Sequence, residues 1–363
     1  MKRTLALVLA FALSCSLALT GCGSSGNTSN PDTSKSEATS RGSNSGGGNS
    51  EIDYTQGDPL TIKIAHVSAD GVPIDQFADR VAEQLDEMTG GRITVQVFPA
   101  SQLGNNSELL EQLQFGTLEI AISSVAFLGA FTDTTALLDL PFLFKNEAAA
   151  EEVLDGEIGQ SIFADLEASD FHGLAWLSTG WRHLTANKEI HNPEDMKGLK
   201  IRVMENQMHI DFWNGLGASA VPMAFSELYT ALQNGTMDCQ ENPYANINGN
   251  RLYEVQKYII ETGHIYDTSP LLASKSWWDS LSASDQELIT QVITESLAWE
   301  REVSAEDQDT LRQEIGSNGT NQVIQLTDEE RQAWRDAAQP VYDSCSDQIK
   351  EMVKTVEEIN AKY

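Results

Sequence analysis

Apolar and polar positions change period twice in the same order along the chain. Leu60-Thr-Ile-Lys-Ile alternates like a strand, and Phe77, Val81, Leu85 and Met88 then recur at the spacing of one helix face. Gly90-Gly91 ends that helix, because glycine accepts the left-handed cap at little cost. Ile93, Val95 and Val97 alternate as a second strand. Leu109, Leu110 and Leu113 mark a second helix ended by Gly116, and Leu118 to Ile122 is an apolar third strand. The order βαβαβ predicts a largely parallel sheet with helices on its faces. It returns downstream. Leu199-Lys-Ile-Arg-Val reads as a strand, Met208 to Leu216 as a helix stopped by Gly217, and Ser226 as the cap of a helix through Leu232 that Gly235 ends. Ser107-Glu-Leu-Leu-Glu-Gln-Leu-Gln-Phe-Gly-Thr aligns with Ser226-Glu-Leu-Tyr-Thr-Ala-Leu-Gln-Asn-Gly-Thr, identical at seven of eleven positions. Capped helices share some of these residues in any case. The matched order around the segment predicts a pair of similar lobes. Two such α/β lobes bind ligands in the crevice at the carboxyl ends of their strands. From about residue 276 the pattern is helical and charged. Trp277, Trp278, Leu281, Leu288 and Trp299 form an amphipathic series expected to buttress both lobes, with the tryptophans as core anchors.

The first residues follow a different rule. Lys2 and Arg3 precede an apolar run from Thr4 to Leu19, short for a membrane span of about 20 residues and typical of a secretory signal. Its end, Leu19-Thr20-Gly21-Cys22, resembles the bacterial lipobox. That resemblance implies cleavage before Cys22 and acylation of its sulfur; the alternative is a plain signal peptide with an incidental cysteine. Cys15 falls inside the removed segment. Residues 23 to 50 are Gly, Ser, Asn and Thr with almost nothing apolar, so they cannot bury enough surface to offset their ordering entropy. They read as a flexible tether. No later stretch has 18 apolar residues, so the lipid is the expected sole attachment to the membrane. The body is expected outside the cytoplasm, facing the periplasm or the cell exterior.

Charge narrows the function. The chain has 363 residues, with 54 acidic against 23 basic side chains and a net charge of -31. No nucleic-acid partner is expected, since binding one needs a basic surface to release phosphate counterions. Electrostatic docking on anionic lipid is disfavoured too. The length suits about two domains. Four cysteines, at 15, 22, 239 and 345, make no disulfide scaffold, and whether Cys239 and Cys345 pair in an exported protein is left to geometry. P-loop, nucleophile-elbow, zincin, Cys-x-x-Cys and dinucleotide-binding motifs are all absent. The six histidines are scattered, and His183 and His191 lack the i,i+4 spacing of a zinc pair. No enzyme activity, metal or cofactor is expected.

Several ordered motifs then carry a family resemblance. They are Ile64-Ala-His, Gly90-Gly-Arg-Ile, Pro99-Ala-Ser-Gln-Leu-Gly, Leu110-Glu-Gln-Leu, Gly180-Trp-Arg-His-Leu-Thr-Ala-Asn, Met196-Lys-Gly-Leu-Lys-Ile-Arg-Val, Pro222-Met-Ala-Phe-Ser-Glu-Leu-Tyr and Asp238-Cys-Gln-Glu-Asn-Pro. Together, across nearly all of 58 to 360, they resemble the substrate-binding proteins of tripartite ATP-independent periplasmic (TRAP) transporters. Cys239 departs from the family's usual Gly. The resemblance implies an α/β, two-lobed, periplasmic-binding-protein-like fold with a ligand cleft between lobes and a long C-terminal helical segment. Residues 1–21 would be the signal and 22–52 the tether. Lobe 1 would span 53–179, completed by about 268–307, and lobe 2 would span 180–267, completed by about 308–363. The implied partners are a small organic acid (a monocarboxylate, dicarboxylate or sugar acid) and the subunits of a sodium-coupled TRAP permease. The chain would act as a monomer, without ATP.

The resemblance also implies site residues, four of them with an alternative. Arg202 would be the carboxylate anchor. A bare charge in the apolar strand Leu199 to Val203 is costly, and a guanidinium offers the planar fork a carboxylate needs; the alternative is an internal Arg-Asp pair. Arg182 would contact ligand directly or through water, or else bond Asn187 or a nearby carboxylate and shape the pocket. Asn242 would be a polar contact or simply a turn residue before Pro243, and Phe225 an apolar wall or a core aromatic. Ser124 and His66, at strand ends, would read the ligand's far end. Trp181, Met204 and Tyr244 are further pocket candidates. The leading function is a lipid-anchored receptor delivering an organic acid to the permease. A sensory lipoprotein presenting its ligand to a membrane histidine kinase is the alternative from another class, and a secreted enzyme of similar fold is disfavoured by the missing catalytic motifs.

Overall fold

A computed structural model describes residues 53–363; the expected signal segment, Cys22 and the tether lie outside the described residues. The first βαβαβ unit is β1 (Leu60–His66), α1 (Pro73–Thr89), β2 (Ile93–Phe98), α2 (Asn106–Gln114) and β3 (Ile120–Ile122). Proline opens α1, Phe77, Val81 and Leu85 fill its buried face, and Gly90 closes it in the left-handed region at φ 61°. Asn105 caps α2 in a reciprocal box, its Oδ1 accepting from the Glu108 N–H at 3.0 Å while the Glu108 carboxylate accepts from the Asn105 N–H at 2.8 Å. After α3 (Glu147–Asp155), α4 (Glu157–Leu166) and the long strand β4 (Phe171–Ala186), the order repeats. The second unit is β5 (Lys200–Val203), α5 (Gln207–Gly215), β6 (Ser219–Pro222), α6 (Leu228–Gln233) and β7 (Cys239–Asn242). There follow α7 (Tyr244–Gly249), a second long strand β8 (Tyr258–Ser274), α8 (Lys275–Trp278), α9 (Ala283–Ser317), β9 (Gln322–Gln325), α10 (Asp328–Ser344) and α11 (Asp347–Asn360).

All the described strands join one sheet in the order β2-β1-β3-β8-β4-β7-β5-β6, with β9 beside β8. In each unit the first strand is central and parallel to both others: β1 between β2 and β3, β5 between β6 and β7. Each unit then attaches antiparallel to one of the long strands, β3 to β8 at Leu271–Ala273 and β7 to β4 at His183–Ala186. The long strands pair with each other along most of their length, so the two lobes share a continuous ribbon. Between its halves the register shifts at Ser178/Gly180 and Arg182/Leu184. Gly180 sits there at φ +90°, and a Cβ on it would fall 1.2 Å from the Gln308 amide nitrogen.

Helix α9 ties the lobes together. Its first half packs Leu288, Ile289 and Val292 into the core of β1, β3 and α1; its second half packs Leu311 and Ile315 into the core under α6 and α7. The expected C-terminal pattern is thus divided. Trp277 and Trp278 belong to α8, and Ser282 starts α9 by accepting from the Asp285 N–H at 3.1 Å. One expectation is corrected, and the pairing left open for two cysteines is answered. Ser226 caps nothing: it lies inside a short turn of 3₁₀ helix, Phe225–Glu227, that precedes α6. Cys239, on β7, and Cys345, beyond α10, are buried and free. Among the described residues no helix is long and apolar enough to cross a membrane.

Candidate ligand-binding cleft

The carboxyl ends of β3, β5 and β7 face one another across the ribbon, and the space between them is a cavity with about 460 Å³ of empty volume, part of it open to solvent. Lobe 1 contributes Asn106, Ser124 and Phe127; lobe 2 contributes Arg202, Met204, Phe225, Asn242 and Asn246; the ribbon contributes Thr179, Arg182, Asp267 and Ser269.

Arg202 is built in by strand alternation. Its neighbours Ile201 and Val203 are buried in the core, and Arg202 points the other way, into the cavity, only 2% exposed. Its Nε and Nη2 both donate to the Met223 carbonyl, at 2.9 and 2.7 Å. Its Nη1 has no hydrogen-bond partner among the described residues, and no carboxylate pairs with it. The Phe225 ring lies 5.7 Å from the guanidinium carbon. Burial, and then the charge of Arg182, push the guanidinium down to about 10. An unpaired buried cation of this kind is stabilised by whatever anion enters the cavity.

Arg182 is the opposite case. Its Nε and Nη2 grip the Glu241 carboxylate at 2.5 and 2.9 Å, and its Nη1 donates to Asp267 Oδ2 at 2.5 Å. Nη2 also reaches the Glu241 carbonyl at 2.7 Å and Asn242 Oδ1 at 3.2 Å. His264 Nε2 lies 3.1 Å from the same Glu241 carboxylate. Against strong desolvation, Arg182 and His264 hold Glu241 well below the usual carboxylate range. Asp267 goes the other way: burial and the charge of Glu241 raise it despite Arg182, which it meets through one oxygen only. Of the alternatives open for Arg182, Asn187 is not its partner. That side chain bonds Val255 and Lys257 instead.

Asn242, at the end of β7, accepts from Arg182 and, at 3.3 Å, from Asn246 Nδ2, and donates to Gln240 Oε1 at 2.5 Å. Ser124 donates a long bond of 3.4 Å to Asp267 Oδ1. Three expected residues are not brought to the cleft. His66 is buried behind its wall, Nε2 3.1 Å from Asp75 Oδ1, while the next residues, Val67 and Ser68, line the cavity. Trp181 and Tyr244 lie on the other side of the ribbon. Alternation along β4 sends Arg182 into the cleft and Trp181 with His183 to a separate surface cavity. Trp181 packs edge-on against Tyr266, and Tyr244 donates its hydroxyl to Glu261 at 3.0 Å.

The cleft also holds residues that sequence reasoning did not select. Asp267 had no clean signal, because Thr268, Ser269 and Pro270 follow it and break the apolar pattern between Tyr266 and Leu271. Asn246 lies four residues after Asn242, one turn away on α7. Its Oδ1 is buried and accepts no hydrogen bond among the described residues.

Residues 64–348 match the family model described as bacterial extracellular solute-binding protein, family 7. A C4-dicarboxylate-binding periplasmic protein of Rhodobacter capsulatus is 33% identical over 293 residues, covering 80% of this chain and 88% of its own. A TRAP periplasmic solute-binding protein of Shewanella oneidensis, solved with bound succinate, superposes with a TM-score of 0.81 at 32% identity, covering 83% of this chain and 99% of its own. The sugar acid binding protein of Advenella mimigardefordensis, solved with galactonate, gives 0.81 at 34% identity, covering 84% and 99%.

Proposed function

The chain belongs to the family-7 bacterial extracellular solute-binding proteins, a family of receptors and not of enzymes, and from that premise we propose that it is a lipid-anchored receptor which binds a small organic acid through Arg202 and delivers it to a sodium-coupled TRAP permease. The observation that carries this reading is the Arg202 guanidinium, buried in the cleft, held along one edge by the Met223 carbonyl and left without a carboxylate. A ligand carboxylate supplies the missing counter-charge and completes the fork. Phe225 forms the apolar side of that contact, and Arg182 acts through Asn242 and Asp267 by holding the floor of the cleft in place. The Leu19-Thr-Gly-Cys22 sequence supports the anchor. Residues 53–179 with 268–307 form one moving body, and 180–267 with 308–363 the other, hinged on the β4–β8 ribbon.

Small molecules released from the purified protein by denaturation test the reading. Mass spectrometry is expected to find one carboxylic acid near one equivalent with wild type and little or none with Arg202→Ala. The same acid recovered from both proteins would contradict Arg202 as the anchor.

A further inference from the structure

Among the described residues, three charged side chains line the cleft: Arg202, Arg182 and Asp267. Arg182 is already compensated twice, by Glu241 and by Asp267, so Arg202 is the one cation with charge to spare. A single carboxylate neutralises it. A second carboxylate, further along the cavity, would meet no lining lysine or histidine. It would instead crowd a third anion around Arg182, beside Asp267, where burial makes like-charge repulsion strong.

The polar groups beyond Arg202 ask for donors. Asn246 Oδ1 is buried with no hydrogen-bond donor among the described residues. Its Nδ2 is turned to Asn242, which fixes the oxygen as the free end of the amide. Asp267 Oδ1 receives only the 3.4 Å bond from Ser124 and has room for a better donor. Thr179 and Ser269 hydroxyls lie 3.2 Å apart on the same wall, and either can turn to give or accept. An ionised carboxylate has no hydrogen to offer Asn246 or Asp267; a hydroxyl does. A ligand ammonium would find no unshared counter-charge, since Asp267 already serves Arg182.

Resting on Arg202 as the anchor, we infer that the ligand is a polyhydroxylated monocarboxylate of the sugar-acid class, its one carboxylate on Arg202 and its hydroxyls donating to Asn246 Oδ1 and Asp267 Oδ1. Asn246 is then a specificity-determining contact. It leaves a buried acceptor unsatisfied with any ligand that lacks a hydroxyl at that place, which is the strongest form of discrimination a polar pocket achieves.

Titration calorimetry of the purified protein with D-gluconate, D-galactonate, D-glucuronate, succinate, L-malate and hexanoate tests the inference. At least one of the three hydroxylated sugar acids is expected to bind about tenfold or more tighter than succinate and L-malate. Hexanoate, which keeps the carboxylate and chain length of gluconate without hydroxyls, is expected to bind weakest. Asn246→Ala is expected to cost the best sugar acid roughly tenfold and to leave hexanoate within about threefold of its wild-type value. Tightest binding by succinate or L-malate overturns the inference, as does an equal loss for hydroxylated and plain acids in Asn246→Ala. Arg202→Ala separates the two levels. If it abolishes binding while dicarboxylates are preferred, the anchor stands and the ligand class falls. If no acid binds wild type, or Arg202→Ala binds like wild type, the receptor reading falls and the inference with it.

Discussion

Two buried arginines in one cleft have opposite thermodynamic roles, and their partners decide which. Removing Arg182 strands Glu241 and Asp267 as buried carboxylates, so Arg182→Ala is expected to destabilise the fold by about 3–5 kcal/mol in urea unfolding. Arg202 has no such dependants, and its lowered pKa reports a desolvation cost carried by the empty protein. Arg202→Met is therefore expected to leave stability unchanged or raise it slightly while binding is lost. Equal destabilisation by the two variants would contradict this division. Glu300 offers a pH test. It is buried in α9, accepting from the Ser178 N–H at 3.2 Å with its other oxygen unpartnered among the described residues, and burial pushes it up to about 8. The unfolded carboxyl titrates near about 4.3. The folded state thus holds a proton that the unfolded state has lost, and stability from this group is complete below that pH and declines up to about 8. Glu300→Gln is expected to gain on wild type across that window, by on the order of 5 kcal/mol at its upper end. Parallel stability curves would rule it out. At this scale Arg202 was legible chiefly through the family resemblance of Lys-Ile-Arg-Val, with which the cost of a charge in an apolar strand agrees. Asn246 was not, because an acceptor without a donor exists only once the neighbours are placed.

The elements that could be read were those with a clean period. β1, α1, β2, α2 and α5 each turn one face mainly to the core, and sequence periodicity finds such faces readily; β5 was read from its Ile and Val although Arg202 is buried on its other face. β4 and β8 escaped notice because they break that rule. β8 is buried on both faces over most of its length yet carries Thr262, His264, Asp267, Thr268 and Ser269, and bulges interrupt the alternation of β4. These are also the elements that cross the cleft, so the unread part of the sheet is the part that holds Arg182 and Asp267. The Ser226 cap failed for a related reason: the repeat with Ser107 was real, but α2 is capped by Asn105, and α6 has no side-chain cap at all. Gly180 is the point where the ribbon's geometry is least replaceable. Gly180→Ala forces a side chain to φ +90° and drives its Cβ onto Gln308. A loss of about 1–3 kcal/mol is expected in chemical denaturation. An unchanged unfolding midpoint would show that the ribbon relaxes freely at this place.

The whole molecule repels what it is proposed to bind. Its net charge is -31, and loss of residues 1–21 would remove Lys2 and Arg3 and no acid. Affinity for an anion must come from a local desolvated cation that outweighs the diffuse field, and salt weakens that field more than the buried contact. Raising salt is therefore expected to speed association and to leave dissociation nearly unchanged. The two lobes joined by one ribbon are expected to close on a ligand that touches both, with a smaller radius of gyration in small-angle scattering. The two-lobe plan was legible from the repeated βαβαβ order; the position of the cleft followed from strand ends, while its occupancy by paired and unpaired arginines did not. The central claim is that one ligand carboxylate sits on Arg202. Titration calorimetry with the acid that co-purifies, on wild type, Arg202→Ala and Arg202→Lys, tests it most directly. The account predicts a loss of roughly 30-fold to several thousand-fold for Arg202→Ala, with Arg202→Lys also poor because a point charge does not reproduce the fork. Near-wild-type affinity in a folded Arg202→Ala protein would contradict it.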